Sequence, residues 1–286
     1  MKKILFPTDF SAAAKNAFVY ALYFADKIGA EITTIHAYQS PDLGRSHLPH
    51  TLLEVYDSLQ LETFEDYKDS IPALRNIAQE HHLEHIPLYH VMRDGEILPV
   101  ILNLAKANSF DFIIMGTEGT TGLLEIFAGS VAGEVLENAN CPVLVVPERA
   151  TFKGKLERIA ITTEFAEDEK KVIGKVYELA KLFGASISCI HVDVAHIESY
   201  AHRMDRLQEE LADYTGMEFE VLQGLDIASA ISKFVASEQV DVLAMLTHKR
   251  NFVQELFNYS MTKKMAYHLD TPVLAFQAHT ILISLP

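Results

Sequence analysis

The chain has 286 residues, 49% of them hydrophobic, and a formal net charge of −15. That length and composition suit two domains with buried cores and exclude general disorder. The acidic balance argues against nucleic acid or an anionic membrane as a main partner.

No stretch reaches the roughly 20 apolar residues of a membrane span, so we expect a soluble, cytoplasmic protein. The two cysteines, Cys141 and Cys189, are predicted to be buried free thiols.

The first half of the chain alternates strand patterns with helix patterns. Ser11 is the predicted N-cap of the first helix, and Gly29 is its predicted end. Apolar strands between helices favour a parallel sheet that is covered on both faces. The predicted elements in chain order are strand 3–8, helix 11–28, strand 31–37, a long helical region 51–82, strand 86–92, a helix that opens at Gly95, strand 111–115, a helix near 128–137 and strand 142–146.

The chain repeats once at the scale of a domain. A shift of 155 residues places Thr8-Asp9-Phe10 on Thr163-Glu164-Phe165. Later in the chain, a shift of 130 residues places Pro142-Val143-Leu144 on Pro272-Val273-Leu274. The second half therefore repeats the same order of elements. We predict an α/β fold with two tandem doubly wound parallel-sheet domains, residues 1–150 and 151–286.

A glycine motif carries the functional signal. Two residues separate Gly116 from Gly119, and nine further residues lead to Gly129 and Ser130. The segment leaves the carboxyl end of a predicted parallel strand and enters a helix, where open α/β sheets bind ligands. Glycines let backbone N–H groups approach phosphate oxygens, and a helix N-terminus favours an anion. The motif therefore predicts a phosphate-binding site.

This spacing resembles the nucleotide-binding motif of ATP-binding universal stress proteins. Other segments are similar to the same family, namely the end of the first strand at 6–9, Gly95, strand 111–116 and the closing strand 141–147. The resemblance extends over nearly the whole chain. It implies a fold like that of the adenine nucleotide alpha hydrolases. It also implies an internal pseudo-dimer in which strands 142–146 and 272–276 pair, and it is compatible with a homodimer of two chains.

The resemblance further implies roles for individual residues. Pro7, Thr8 and Asp9 are expected against the nucleoside, and the backbone of Ala37 is expected at the adenine edge. The residues expected to hold the ribose and phosphates are Met115, Gly116, Gly119, Gly129, Ser130 and Val131. Mg²⁺ is expected to accompany bound ATP. The implied function is nucleotide-dependent regulation of a stress response, with slow ATP hydrolysis at most.

Alternatives remain open at the level of residues. Asp9 is also typical of a turn or helix cap, and the glycines also suit a tight strand-to-helix turn. The Glu118 carboxylate repels phosphate unless it faces solvent or binds the metal ion. One alternative is therefore a scaffold of the same fold that binds no nucleotide. Another is a slow ATP hydrolase or nucleotidyl transferase, although the sequence contains no Walker loop and no nucleophile elbow.

The second half lacks most of the glycine motif. At the 130-residue shift its three glycines are replaced by Leu246, Lys249 and Tyr259, and only the serine is kept, as Ser260. Side chains then stand where backbone should approach phosphate. We expect this half not to bind ATP in the same manner and to pair with the first half. The basic segment 247–251 is expected to be a solvated loop or a site for another anion.

Two sets of histidines have structural explanations. His81, His82 and His85 have the spacing of metal ligands, yet most such clusters are solvated helix ends. His36 and His191 recur at the same place in both halves, near the end of a strand. A hydrogen-bonded structural role is expected for these two.

Overall fold

The computed structural model describes residues 1–39, 50–117, 131–195, 197, 199–247 and 270–278. For residues 50–63 and 247 it describes the backbone alone. Within these ranges, no helix is both long enough and apolar enough to cross a lipid bilayer. The predicted site residues Gly119, Gly129 and Ser130 lie outside the described residues, and so does Glu118.

The first half follows the predicted alternation of strands and helices. Its elements are β1 (Lys2–Pro7), α1 (Ala12–Ile28), β2 (Ala30–Tyr38), α2 (His50–Glu80), β3 (Leu88–Asp94), α3 (Ile97–Ala107), β4 (Phe112–Thr117), α4 (Val131–Asn138) and β5 (Val143–Pro147). Their bounds agree with the sequence prediction to within two residues, except at the start of α4, which adjoins residues outside the description.

The second half has the same order of elements as far as it is described. They are β6 (Arg158–Thr162), α5 (Glu169–Phe183), β7 (Ser186–Asp193), α6 (Ser199–Glu210), β8 (Met217–Gln223), α7 (Ile227–Ser237), β9 (Val242–Thr247) and β10 (Val273–Gln277). The predicted repeat of the element order is therefore confirmed for these residues.

One ten-stranded sheet runs through both halves, in the order β3-β2-β1-β4-β5-β10-β9-β6-β7-β8. Neighbouring strands within each half are parallel. The halves join where β5 and β10 pair antiparallel, with Leu144 opposite Leu274. The predicted α/β class with two parallel-sheet units is confirmed. The pairing of β5 with β10 is consistent with the predicted internal pseudo-dimer.

Two apolar cores cover the two faces of this sheet. Alternate residues of a strand point to opposite faces, and in β1 the side chains of Ile4 and Phe6 belong to one core while Leu5 belongs to the other. The first core includes residues of α1 and α5, and the second includes residues of α3, α4 and α7. Strands covered on both sides are apolar at most of their positions, as the sequence indicated.

Local signals set the ends of α1. The Ser11 hydroxyl oxygen accepts the N–H of Ala14 at 3.2 Å, which satisfies one of the free amides of the first turn. Gly29 ends the helix with φ of 66°, in the left-handed region that glycine adopts without a steric penalty. Gly184 ends α5 in the same way, with φ of 69°. The predicted cap and the predicted stop of α1 are both confirmed.

An aspartate fixes the strand register at the same place in each half. The Asp111 carboxylate accepts the N–H of Lys3 at 2.7 Å, which ties the start of β4 to the start of β1. In the second half, the Asp241 carboxylate accepts the N–H groups of Glu157 and Arg158 at 2.7 and 3.0 Å. These charge-assisted bonds satisfy amides at the sheet end and hold β6 against β9.

Aromatic side chains of α1 pack the two halves together. Phe24 lies against Phe183 of α5, with ring centroids 4.8 Å apart. Phe152, in the connection between the halves, stacks on Tyr23 at 4.2 Å and meets Tyr20 edge-on at 5.0 Å. Contacts of this kind add to the stabilisation that burial alone provides.

The chain that leaves β5 is also held against α1 by hydrogen bonds. The side-chain amide nitrogen of Asn16 lies 3.1, 3.2 and 2.8 Å from the carbonyl oxygens of Pro147, Glu148 and Ala150. A side-chain amide has two N–H donors, so three carbonyls share them. The first residues after β5 therefore have a fixed path.

Both cysteines are buried and free, as predicted. Burial raises the pKa of the Cys141 thiol to about 12. Burial also raises the pKa of Cys189. Neither thiol forms appreciable thiolate at neutral pH, so both are expected to be chemically inert.

We predict that Asp241→Ala destabilises the protein by about 2–3 kcal/mol, because two amides lose a charged acceptor at a partly buried position. The urea midpoint followed by circular dichroism measures the change. Asp213→Ala is the matched control, since Asp213 is exposed in the same half. Equal midpoints for the two variants would contradict this role of Asp241.

Candidate functional site

A cavity of about 310 Å³ lies at the carboxyl ends of β1 and β4. The first turn of α1, the start of α3 and the start of α4 complete its described walls. The predicted site residues that line it are Pro7, Thr8, Asp9, Met115, Gly116 and Val131. Ala37 lies at the end of β2, opposite Arg93 of β3, and is not part of this lining.

The loop between β1 and α1, residues Thr8–Ser11, has a tightly fixed shape. The Thr8 side-chain oxygen accepts the N–H of Phe10 at 3.0 Å, and Phe10 adopts a φ of 61°. The carbonyl oxygen of Thr8 accepts a hydrogen bond from Nδ1 of His36 at 2.9 Å. That bond gives His36 the hydrogen-bonded structural role expected for it, and it anchors the loop to β2.

Asp9 performs the turn role that the sequence left open. One of its carboxylate oxygens accepts the N–H of Ser11 at 3.0 Å, although the side chain is exposed at the cavity. Short-range bonds of this kind are typical of aspartate before a helix. Among the described residues no hydrogen bond uses the second carboxylate oxygen, which lies at the cavity wall.

Gly116 is required by packing, whatever the cavity binds. A Cβ atom at this position would lie 2.6 Å from the carbonyl oxygen of Ala13 and 3.0 Å from the nitrogen of Ala14. Both atoms belong to the backbone of α1, which approaches β4 closely at this point. The glycine is therefore evidence for the helix contact as well as for a ligand.

Thr117 follows at the end of β4 and has a buried hydroxyl group. The residue is 4% exposed and contributes to the cavity wall. Among the described residues its Oγ1 atom has no hydrogen-bond partner. An unsatisfied buried hydroxyl costs free energy, so a polar atom placed next to it gains from the bond.

The second half has a similar loop between β6 and α5, and the carboxylate of Glu169 lies inside that loop. Phe165 has φ of 63°, and its N–H donates to the side-chain oxygen of Thr163 at 3.0 Å. Glu169 is 4% exposed and accepts the Thr163 hydroxyl at 2.7 Å and the amides of Glu164 and Ala166 at 3.0 Å. Leu246, which replaces Gly116 in the repeat, is also buried.

His191 occupies the position of His36 in this half. Its Nδ1 donates to the carbonyl of Thr163 at 2.7 Å, and its ring lies 4.6 Å from Phe165 and 4.4 Å from Tyr200. Burial lowers the pKa of His191, against the opposing effect of the bond to Thr163. The ring is therefore neutral near pH 7 and serves the structural role expected from the sequence.

The histidines at the end of α2 have separate partners. His81 lies 3.3 Å from the Tyr23 hydroxyl, and His85 lies 3.1 Å from the Asp26 carboxylate. Within the described ranges, no group of three histidine, cysteine or acidic side chains is placed to hold a metal ion.

Sequence reasoning overlooked several residues of the cavity wall. Ser11, Ala14 and Thr117 line it, although the sequence indicated only a helix-capping role for Ser11. The repeat contained a signal for one further residue, because the 155-residue shift places Glu169 on Ala14. A charged residue that replaces alanine at the start of a helix marks a difference between the two clefts.

The parallel sheets, their two cores and the cavity at the strand ends define a tandem α/β protein of the doubly wound type. The model of the universal stress protein family matches residues 1–147 and again residues 155–277. The chain therefore belongs to the universal stress protein family.

Individual relatives match either one half or the whole chain. Universal stress protein MJ0531 of Methanocaldococcus jannaschii is 34% identical over 147 residues, which cover 51% of this chain and 81% of that protein. Universal stress protein Slr1230 of Synechocystis is 21% identical over 295 residues, covering 97% of this chain and 100% of that protein. A universal stress protein from Archaeoglobus fulgidus has a similar fold, with a TM-score of 0.68, 17% identity and 96% coverage of both chains.

We predict that Gly116→Ala destabilises the protein by about 1–3 kcal/mol, because the added methyl group forces α1 away from β4. Thermal unfolding without any ligand measures this effect. An unchanged melting temperature would show that the close approach of α1 to β4 does not exist.

We predict that His191 contributes to acid destabilisation. Because its pKa is lowered in the folded state, the unfolded chain takes up the proton first, and stability falls as pH drops below about 6.5. His191→Asn keeps a donor toward Thr163 and should flatten the dependence of the urea midpoint on pH between about 7 and 5. His202→Asn, at an exposed position of α6, should leave the slope unchanged. Equal slopes for all three proteins would contradict the assignment.

Proposed function

We propose that the protein is an ATP-binding universal stress protein that acts as a nucleotide-dependent regulator of a stress response. The first half, residues 1–150, is the binding unit, and the second half, residues 151–286, does not bind ATP in the same way. The observation that carries the proposal is the cavity at the carboxyl ends of β1 and β4. Six residues that the family resemblance assigns to the nucleotide site line it, namely Pro7, Thr8, Asp9, Met115, Gly116 and Val131.

The physical setting of the cavity favours a ligand with phosphate groups. The strands that border it are parallel, α1 begins at its wall with its N-terminus, and Val131 and Ala132 of α4 also line it. Free amides and the helix dipole at such ends attract negative charge. Between Thr117 and Val131 the sequence contains Gly119, Gly129 and Ser130, and backbone and hydroxyl donors of such residues suit phosphate oxygens.

Mg²⁺ is part of the proposal, because cellular ATP is bound with it. Asp9 is the carboxylate among the described residues of the wall, and the hydroxyl groups of Thr8 and Thr117 lie on the same wall. Oxygen donors of this kind fit Mg²⁺, which keeps several waters and takes its remaining ligands from phosphate. When bound, the ion neutralises phosphate charge that Asp9 would otherwise repel.

A scaffold that binds no nucleotide is the second candidate, and one observation favours it. Gly116 is explained by its contact with the backbone of Ala13, so this glycine does not by itself require a ligand. On this alternative, the chain works through the pairing of its halves and through protein partners. Substantial ATP turnover that is lost in Ser130→Ala would instead favour a hydrolase or nucleotidyl transferase.

We place the protein in the cytoplasm, where its free buried thiols stay reduced.

Calorimetry with ATP and Mg²⁺ tests the proposal. We expect one site per chain, and we expect Ser130→Ala to weaken binding by about tenfold, the loss of roughly one hydrogen bond to a charged group. Ser260→Ala is the matched control, because Ser260 is the equivalent residue of the second half.

The other possible outcomes of that titration would each contradict one part of the proposal. The absence of both heat and a rise in melting temperature would favour the scaffold. Two sites per chain would show that the second half binds as well. Equal weakening by both serine variants would mean that the glycine motif of the first half does not hold the ligand.

A further inference from the structure

An aromatic cluster joins α2 to the loop between β1 and α1. The ring centroid of Phe10, in that loop, lies 5.7 Å from that of His36 in β2 and 5.8 Å from that of Tyr67 in α2. The rings of His36 and Tyr67 are stacked, with their centroids 5.6 Å apart. Tyr67 is 6% exposed, so α2 buries this side chain. We refer to Phe10, His36 and Tyr67 as the loop cluster.

The loop cluster holds a backbone conformation that is unfavourable on its own. Phe10 has φ of 61°, in the left-handed region, which costs free energy for a residue with a Cβ atom. Such conformations persist only where the surrounding structure imposes them. The loop is held at two neighbouring points, because the Phe10 ring packs in the cluster and Nδ1 of His36 donates to the carbonyl oxygen of Thr8.

The residues that are held in this way face the cavity. Thr8 and Asp9 line the cavity wall, and the family resemblance assigns them to the nucleoside. Phe10 follows Asp9 directly, and its N–H donates to the side-chain oxygen of Thr8 at 3.0 Å. A displacement of the Phe10 ring therefore also displaces the two residues before it. Tyr67 does not line the cavity, so it acts on the wall only through the other two rings.

The second half contains the same three residue types in a similar cluster. Phe165 has φ of 63°, and its ring lies 4.6 Å from His191 and 6.1 Å from Tyr200. The rings of His191 and Tyr200 are 4.4 Å apart. The tyrosine follows the histidine by 9 residues here and by 31 residues in the first half. A tyrosine ring therefore returns to this place although the segments that lead to it differ in length.

One further contact distinguishes the two clusters. The guanidinium group of Arg203, in α6, lies 4.6 Å from the ring centroid of Phe165, and it donates to the carbonyl oxygen of Glu164 at 3.5 Å. This cation–π contact adds to the attraction between α6 and its loop. Ser70 stands at the same distance after its tyrosine, and its hydroxyl group donates to Asp66 within α2. Among the described hydrogen bonds and ring contacts, the Tyr67 ring alone links α2 to the loop of the first half.

We propose that Tyr67 is a positioning residue of the nucleotide site, which acts through the other two rings of the loop cluster on Thr8 and Asp9. The position of α2 and the occupancy of the cavity then influence each other, because coupling between two sites is reciprocal. α2 is thus the element by which the first half reports a bound nucleotide at its surface, while Arg203 holds the corresponding helix of the second half. The nucleotide part of this inference rests on the proposed function, whereas the hold of Tyr67 on the loop does not.

Amide hydrogen exchange followed by NMR tests this hold without any nucleotide. In Tyr67→Leu, the amides of Phe10 and Ser11 should exchange about three- to tenfold faster than in wild type, the effect of losing about one aromatic contact. Tyr67→Phe keeps the ring and should restore the wild-type rates. Tyr23→Leu is the matched control, because it removes a ring of α1 that stacks on Phe152 instead.

Two results of the exchange experiment would overturn the proposal. Equal rates in Tyr67→Leu and Tyr67→Phe would show that the ring does not hold the loop. Equal acceleration in Tyr67→Leu and Tyr23→Leu would mean that the two amides respond only to the stability of the whole protein.

Calorimetry with ATP and Mg²⁺ tests the effect on the site. Tyr67→Leu should bind ATP about three- to tenfold more weakly than wild type, because the loop no longer has one fixed conformation. Tyr67→Phe should bind ATP as wild type does. An affinity of Tyr67→Leu equal to that of Tyr67→Phe would overturn the positioning role, even where amide exchange responds.

A tryptophan reporter tests whether α2 senses the ligand. The chain contains no tryptophan, so a single introduced one is read without background. Phe64 is 51% exposed on α2, and saturating ATP with Mg²⁺ should change the emission of Phe64→Trp. The change should disappear when Tyr67→Leu is added and persist when Tyr67→Phe is added. Leu182→Trp, on α5 and at a position that is equally exposed, is the control reporter and should not respond.

The coupling is overturned if Phe64→Trp does not respond to bound ATP, if it responds equally without the Tyr67 ring, or if Leu182→Trp responds as strongly. The two proposals also fail separately. If wild type binds no ATP, the proposed function fails, while the exchange rates of Phe10 and Ser11 still decide whether Tyr67 holds the loop. If wild type and Tyr67→Leu bind ATP equally well, the nucleotide site stands and the positioning role fails.

Discussion

The antiparallel pairing of β5 with β10 is the contact on which the whole molecule depends. Each half alone is a parallel sheet whose closing strand is apolar on both faces and fully buried in the complete chain. An unpaired strand of that kind exposes a row of amides and apolar side chains and invites aggregation. Pairing the two closing strands removes both free edges at once. The chain thereby pairs its two closing strands within itself.

Local signals in the sequence were sufficient for much of this architecture. The Ser11 cap and the Gly29 stop act within one turn of the chain, so their effect is visible without tertiary information. The end of α2 was harder to locate, since the turn after the helix uses His82 with φ of 56° in place of a glycine. The following strand then begins at Leu88, two residues later than predicted.

The candidate site was predictable only in part. The residues at the end of β4 could be placed from the glycine motif and those after β1 from the family resemblance, and parallel strands end at one edge of their sheet. Contacts between distant segments left no pattern in the sequence. The approach of the Ala13 backbone to Gly116 and the unsatisfied hydroxyl of Thr117 depend on how α1 and β4 pack. The glycines at 119 and 129 stay a prediction, since they lie outside the described residues.

Because β5 and β10 run in opposite directions, the strand ends of the two halves lie on opposite sides of the molecule. In the first half all strands end at one edge of the sheet, and in the second half they end at the opposite edge. The two clefts therefore form two poles of one body. A molecule as small as a nucleotide can occupy one pole but cannot bridge to the other. Any partner that contacts both poles must reach from the ends of β1 and β4, past β5 and β10, to the opposite ends of β9 and β6, and separate partners can dock at the two poles without competing.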